Sequence, residues 1–151
     1  MKFKHRVRVF AFISLLICSQ TSVEIAHSSV SNFEQGYVQI KGKLIRVELA
    51  KTNDEKTTGL SNRDLNANNS FMLFVYEQPQ RMSFWMKDTR KDLSIAFIDA
   101  NNKILQIENL KAKSLKVLDS KSTQVKYVLE VPKGYFGLHK IKIGDEVVLL
   151  K

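Results

Sequence analysis

Residues 82–87 place Met82, Phe84, Trp85, Met86 and Lys87 in one short stretch. Read as a strand, it turns Phe84 and Met86 to one face and Trp85 and Lys87 to the other. A dry face would not hold an ammonium beside an indole, because burying an unpaired charge is costly. That face is therefore expected to be partly wet, or Lys87 to have an acid partner. A shallow ligand site fits, with Trp85 as floor, Lys87 as anion contact, Phe84 beside them and Arg63 lining the same hollow. Asp99 is the acid included in this site, and Asp88, Glu108 and Glu130 lie on or beside neighbouring strands. The plainer alternative packs Trp85 at the core edge while Lys87 extends to water.

Two further chemistries use the same residues. A pair of those acids about 5 to 10 Å apart could hydrolyse a glycoside over an aromatic floor, but spacing across strands is not readable from sequence. Met72, Met82, Met86 and His139 are soft or borderline copper ligands, and Trp85 could cap a cuprous ion. Met82 and Met86, however, would lie about 13 Å apart on a regular strand, and Met in apolar strands mostly fills core. His139 as a general base would need a nucleophile, and neither Ser83 nor Ser94 sits in a nucleophile-elbow pattern. No catalytic residue, metal ligand or cofactor is therefore assigned. The leading reading is a ligand- or envelope-binding module without catalysis, for a glycan or another envelope component. A carbohydrate-active hydrolase comes second and periplasmic copper binding third.

Composition narrows the classes. The 151 residues carry 24 Lys+Arg against 15 Asp+Glu, a formal charge of +9, with 44% hydrophobic and 26% charged residues. These values suit one globular domain and exclude disorder throughout. A single Cys excludes an internal disulfide and a Cys-based zinc site. Lysines are interleaved with acids rather than gathered in a stripe, so nucleic acid is not expected as a partner. The one basic stretch runs from Lys111 to Lys126 and holds Lys113, Lys116 and Lys121 against Asp119. It could touch anionic headgroups or a cell-wall polymer, or form a solvated loop. A monomer is expected.

The first 28 residues read as a secretory signal peptide: basic Lys2, Lys4, Arg6 and Arg8, an apolar run from Val9 to Cys18, and small Ala26 and Ser28 flanking His27 before a cut. The apolar run is shorter than the about 20 residues of a spanning helix. Membrane attachment would come only through an uncleaved leader or a lipid on Cys18, and Ile17 stands where a lipobox has a small residue. The protein is thus expected to be exported, to the periplasm or beyond. Residues 29–36 are expected as a flexible lead-in and 37–151 as a single domain, with no thiol and His139 as its one histidine.

Several elements must position these side chains. Alternation over Tyr37–Ile40 and Leu44–Leu49 around Lys41-Gly42-Lys43 predicts a hairpin. Thr52-Asn53-Asp54-Glu55 has the form of a capping box, so a short helix starts there. Phe71–Val75 is a continuous apolar run, as in a strand buried on both faces. Strands are also predicted at Ser83–Met86 after a Pro79 turn, Leu93–Ile98, Lys103–Leu110, Tyr127–Val131 and Val147–Leu150. One helical turn is expected within 135–140. About eight short strands with one or two helices predict a mainly β, closed or nearly closed barrel-like α+β domain, since closure removes exposed edges.

Residues 44–150 resemble the domain of unknown function 192 (DUF192) family. The motifs, in order, are Gly59-Leu60 with Arg63 and Leu65, then Phe71-Met72-Leu73-Phe74, then Ser83-Phe84-Trp85-Met86-Lys87. Leu93, Ile95, Phe97, Ile98 and Asp99 follow, then Tyr127-Val128-Leu129-Glu130-Val131, Gly134 and Ile143-Gly144-Asp145. The resemblance implies a compact β-rich domain, often exported in bacteria, and no established reaction. The chain departs from the family where Asp92 replaces a usual Pro and Ser94 a usual acid. The loop 111–126 also lacks the Cys that many members carry.

Overall fold

The computed structural model describes residues 33–150. The signal peptide, the Cys18 lipid site and residues 29–32 of the lead-in lie outside the described residues. Strand β1 (Glu34–Ile40) starts inside the stretch expected as lead-in, because Glu34 to Gly36 already pair with Leu49 to Val47. With β2 (Lys43–Ala50) it forms the expected hairpin, Ile40 facing Lys43. Lys41 and Gly42 turn the chain with φ of 50° and 76°, the handedness that matches strand twist. Helix α1 (Asn53–Thr58) carries the capping box: Thr52 Oγ1 accepts from the Glu55 N–H, and the Glu55 carboxylate accepts from the Thr52 N–H.

The remaining strands are β3 (Met72–Gln80), β4 (Ser83–Phe84), β5 (Leu93–Asp99), β6 (Ile104–Leu110), β7 (Leu118–Asp119), β8 (Val125–Pro132) and β9 (Val147–Leu150), with helix α2 (Tyr135–Leu138) before the last. The strand expected to end near Val75 continues through Pro79 to Gln80. Its register with β8 shifts between Val75 and Gln80, and such an irregularity accommodates a residue that cannot donate to the ladder. The strand expected over 83–86 is only two residues long. Its partner β7 lies in the expected loop and is too short to leave an alternation signal.

Seven strands form one sheet in the order β6-β5-β8-β3-β2-β1-β9, and β4 and β7 form a separate ribbon. All pairs in the large sheet are antiparallel except β2 with β3. The sheet curls until its edges touch: Lys103 and Glu146 form an antiparallel bridge, and the Val147 N–H donates to the Asn102 carbonyl at 2.8 Å. The result is a barrel-like domain with few open edges.

Two apolar clusters line the two faces. The first takes Val38, Ile45, Leu73, Ala96, Ile104, Leu129 and Val147, so all seven strands contribute, and Phe136 of α2 joins them. The second takes residues from the other face of β2, β3, β5, β6 and β8, among them Met72, Phe74, Ile95, Phe97 and Val128, and is completed by Leu60, Leu65, Met82 and Met86 from the segments over that face. β5 is buried from Leu93 to Ile98, polar Ser94 included, because both its faces are covered. The functional side chains sit on this second face.

Candidate functional site

Cross-strand pairing puts five residues in one row. Glu48 of β2 lies beside Met72 of β3, Met72 opposite Glu130 of β8, Glu130 opposite Ile95 of β5, and Ile95 opposite Glu108 of β6. Paired residues share a face, so three glutamates stand on the second face, separated by apolar side chains. Glu48 receives both guanidinium nitrogens of Arg63, Nη2 at 3.0 Å. Glu108 has Lys121 Nζ at 3.5 Å and the Gln106 amide at 3.2 Å. Glu130, the middle one, has no hydrogen bond or ion pair to its carboxyl among the described residues, although it is only 4% exposed. Burial with no compensating charge pushes its carboxyl up to about 8.

Above Glu130 a cavity of about 290 Å³ opens to solvent, lined by Phe74, Tyr76, Phe84, Trp85, Thr89 and Gly59 among others, with Glu130 in its wall. Its aromatic side is braced: Phe84 meets Phe74 edge-on at 5.0 Å and Phe97 at 6.0 Å. Burial, with the Glu130 charge adding to it, pushes the Tyr76 phenol up to about 12. Two loops form the mouth and are tied together. Ser61 Oγ donates to the Lys87 carbonyl at 3.2 Å, and the Asn62 N–H donates to the Asp88 carbonyl at 2.9 Å. Gly59 joins α1 to this rim at φ 47° and ψ −131°, and a Cβ there would stand 3.4 Å from Phe74. Only glycine adopts that backbone without strain.

Trp85 is 54% exposed, and its ring carries Lys87 Nζ at 5.6 Å. The indole and the ammonium thus share a wet face, with no acid partner to Lys87 among the described residues. Met86 turns inward to the second cluster. A second ammonium, Lys56 Nζ, lies 4.7 Å from the Tyr76 ring centre, and Lys56 also lines the cavity. The site has a neutralised acid at depth, aromatic walls and two cations over its rings. Such a hollow can stack a flat or ring-shaped group, donate a hydrogen bond from a protonated carboxyl, and meet an anion at its mouth.

The sequence-derived residues divide. Phe84 and Trp85 wall the cavity and Lys87 leans on the indole. Arg63 is committed to Glu48 and stacks over the Phe33 ring at 5.8 Å; it does not line this cavity. Asp99 ends β5 four residues beyond the Glu130 row, about 13 Å along the strand. Its Oδ1 accepts from the Asn101 and Lys103 N–H groups at 2.9 and 2.8 Å, so it shapes the β5–β6 turn. Met72, Met82 and Met86 are buried in the second cluster, while His139 packs on Tyr135 at 4.3 Å beside the first. The three sulfurs and the imidazole are not brought together. Sequence patterns alone do not single out Glu130, Tyr76 or Lys56 as site residues. The one local signal was a carboxylate inside the apolar run Tyr127-Val128-Leu129-Glu130-Val131.

A family model, DUF192, described as an uncharacterized ACR, matches residues 36–149. A crystal structure of a protein of unknown function from Novosphingobium aromaticivorans DSM 12444 is similar with a TM-score of 0.72 and 28% identity, over 80% of this chain and 89% of that one. A candidate transcription regulator from Sinorhizobium meliloti 1021 is similar with a TM-score of 0.70 and 28% identity, over 78% of this chain and 95% of that one. No curated protein matches the chain.

Proposed function

The chain belongs to the DUF192 family, and we propose that it is an exported binding module of the cell envelope, without catalysis, whose site is the cavity between Trp85 and Glu130. The observation that carries this reading is the buried carboxyl of Glu130, unpartnered among the described residues, at an aromatic-walled opening. No sealed-off side-chain polar atom among the described residues lacks a partner, so this carboxyl opens to the cavity, where a ligand can take the place of its water. The leader-like first 28 residues support export.

An acidic sugar unit of an envelope glycan answers each feature. Its ring stacks on Trp85, a ring oxygen or hydroxyl accepts from protonated Glu130, and its carboxylate lies toward Lys56 and Lys87. Titration with trigalacturonate, followed by Trp85 emission, tests this directly, since Trp85 is the one tryptophan of the chain. A saturable change is expected, weaker or absent with neutral cellotriose. No response to either sugar contradicts the reading.

One observation favours hydrolysis as the second reading. A carboxyl raised to about 8 by burial has the character of a general acid. Glu48, two strands away at about 10 Å, is the nearest acid of the row on one side and is held by Arg63. Release of reducing ends from a glycan, lost in Glu130→Gln, would replace binding by turnover.

A further inference from the structure

Segments 82–89 and 113–120 run antiparallel beside each other. Phe84 pairs with Leu118 and Ser83 with Asp119. The Ser120 N–H donates to the Met82 carbonyl at 2.8 Å, the Met86 N–H to the Ser114 carbonyl at 3.0 Å, and the Lys113 N–H to the Thr89 carbonyl at 3.0 Å. Trp85 therefore stands against residues 115–117. All three large apolar side chains here face water: Trp85 at 54%, Leu115 at 68% and Val117 at 52% exposure. They are interleaved with exposed Lys87, Lys113 and Lys116, and none of these lysines has an ion-pair partner among the described residues. Two acids lie on these segments: Asp119 is engaged by Ser83 Oγ at 2.6 Å, and exposed Asp88 follows Lys87, so the three lysines leave the patch with a net positive charge.

An exposed indole and two aliphatic side chains, set among unpaired lysines, match the layered chemistry of a lipid surface. Tryptophan favours the headgroup level, aliphatic groups enter the acyl boundary, and lysines meet anionic phosphates. We propose that the β4–β7 ribbon is a peripheral docking edge for an anionic lipid bilayer, inserting Trp85, Leu115 and Val117 between headgroups held by Lys87, Lys113 and Lys116. The charge on the patch selects this occupant over a neutral surface. No helix among the described residues is long and apolar enough to cross a membrane, so the contact is interfacial. The proposal shares Trp85 and Lys87 with the glycan reading, but Leu115, Val117, Lys113 and Lys116 do not line the Trp85–Glu130 cavity, so substitutions at those four separate the two.

The test uses the full chain and the position of its one tryptophan. Vesicles of phosphatidylglycerol and phosphatidylcholine, carrying bromine high on the acyl chains, should quench Trp85, whereas pure phosphatidylcholine vesicles should not. Lys113→Gln and Lys116→Gln should each raise the lipid concentration for half-quenching roughly fivefold at low salt. Leu115→Ser with Val117→Ser should reduce quenching at least by half while leaving trigalacturonate binding in place. If the chain sediments with anionic vesicles but Trp85 stays unquenched and open to iodide, the leader rather than the ribbon makes the contact and the proposal fails. It also fails if neutral vesicles quench as well as anionic ones, or if the ribbon binds only a soluble acidic glycan or protein.

Discussion

Tyr76 and Glu130 wall one cavity as neutral groups. Burial pushes the Glu130 carboxyl up to about 8, and burial together with the Glu130 charge pushes the Tyr76 phenol up to about 12. Near neutral pH the site therefore offers two hydrogen-bond donors and no anion of its own, with Lys56 over one ring and Lys87 over another.

This arrangement has a pH signature in stability. Glu130 titrates near 4.5 when unfolded and near 8 when folded. The folded state thus binds more protons between those values, and stability falls as pH rises through that window. The upper bound on the loss is about 5 kcal/mol. Glu130→Gln should remove this slope and be more stable than the wild type at pH 9. Thermal unfolding of both proteins from pH 5 to 9 checks this, and parallel curves would mean that Glu130 is ionised at neutral pH.

Asp92 should behave in the opposite sense. The Ala112 N–H at 2.8 Å, then Lys133 at 3.0 Å and Lys111 at 3.2 Å, hold its carboxyl well below the ordinary range. Its contribution is present above about pH 4 and is lost as the medium becomes more acid. Asp92→Asn should flatten the acid limb of the stability curve and leave the limb above pH 6 unchanged, as urea midpoints would show.

Arg63 is expected to be structural. Arg63→Ala takes the guanidinium from buried Glu48 and should destabilise the fold, by at most about 3 to 5 kcal/mol. Sugar binding by the fraction that remains folded should be unchanged. A variant of normal stability that fails to bind would return Arg63 to the site.

Trp85→Ala removes a half-exposed ring, so its stability should stay within roughly 1 kcal/mol of the wild type. Calorimetry should find trigalacturonate binding weakened at least tenfold. Unchanged affinity would place the ligand elsewhere.

Local chemistry was readable in the sequence because local rules govern it. Lys41-Gly42 fixes the first hairpin, Thr52 and Glu55 cap α1, and the continuous apolar run Phe71–Val75 announces the strand β3, whose Leu73 packs in one cluster and Met72 and Phe74 in the other. Glu130 was not separable from Asp88, Asp99 and Glu108. Its burial depends on β3 and β5 flanking β8 and on the β4–β7 ribbon lying over that face, and none of these pairings is local. Arg63 was misplaced for the same reason: Glu48 comes within reach only once the 59–65 loop folds over the outer face of β2. The β7 strand, two residues long, has no period to detect.

The central claim is that neutral Glu130 completes a ligand from the wall of the Trp85 cavity. The most direct measurement is the affinity for trigalacturonate from pH 6 to 10, in the wild type and in Glu130→Gln. Wild-type binding should weaken as pH rises through about 8, because the ionised carboxylate loses its donor and repels the acidic sugar. The glutamine protein should bind across that range with no such step. Binding that strengthens above pH 8, or the same step in both proteins, would contradict the claim.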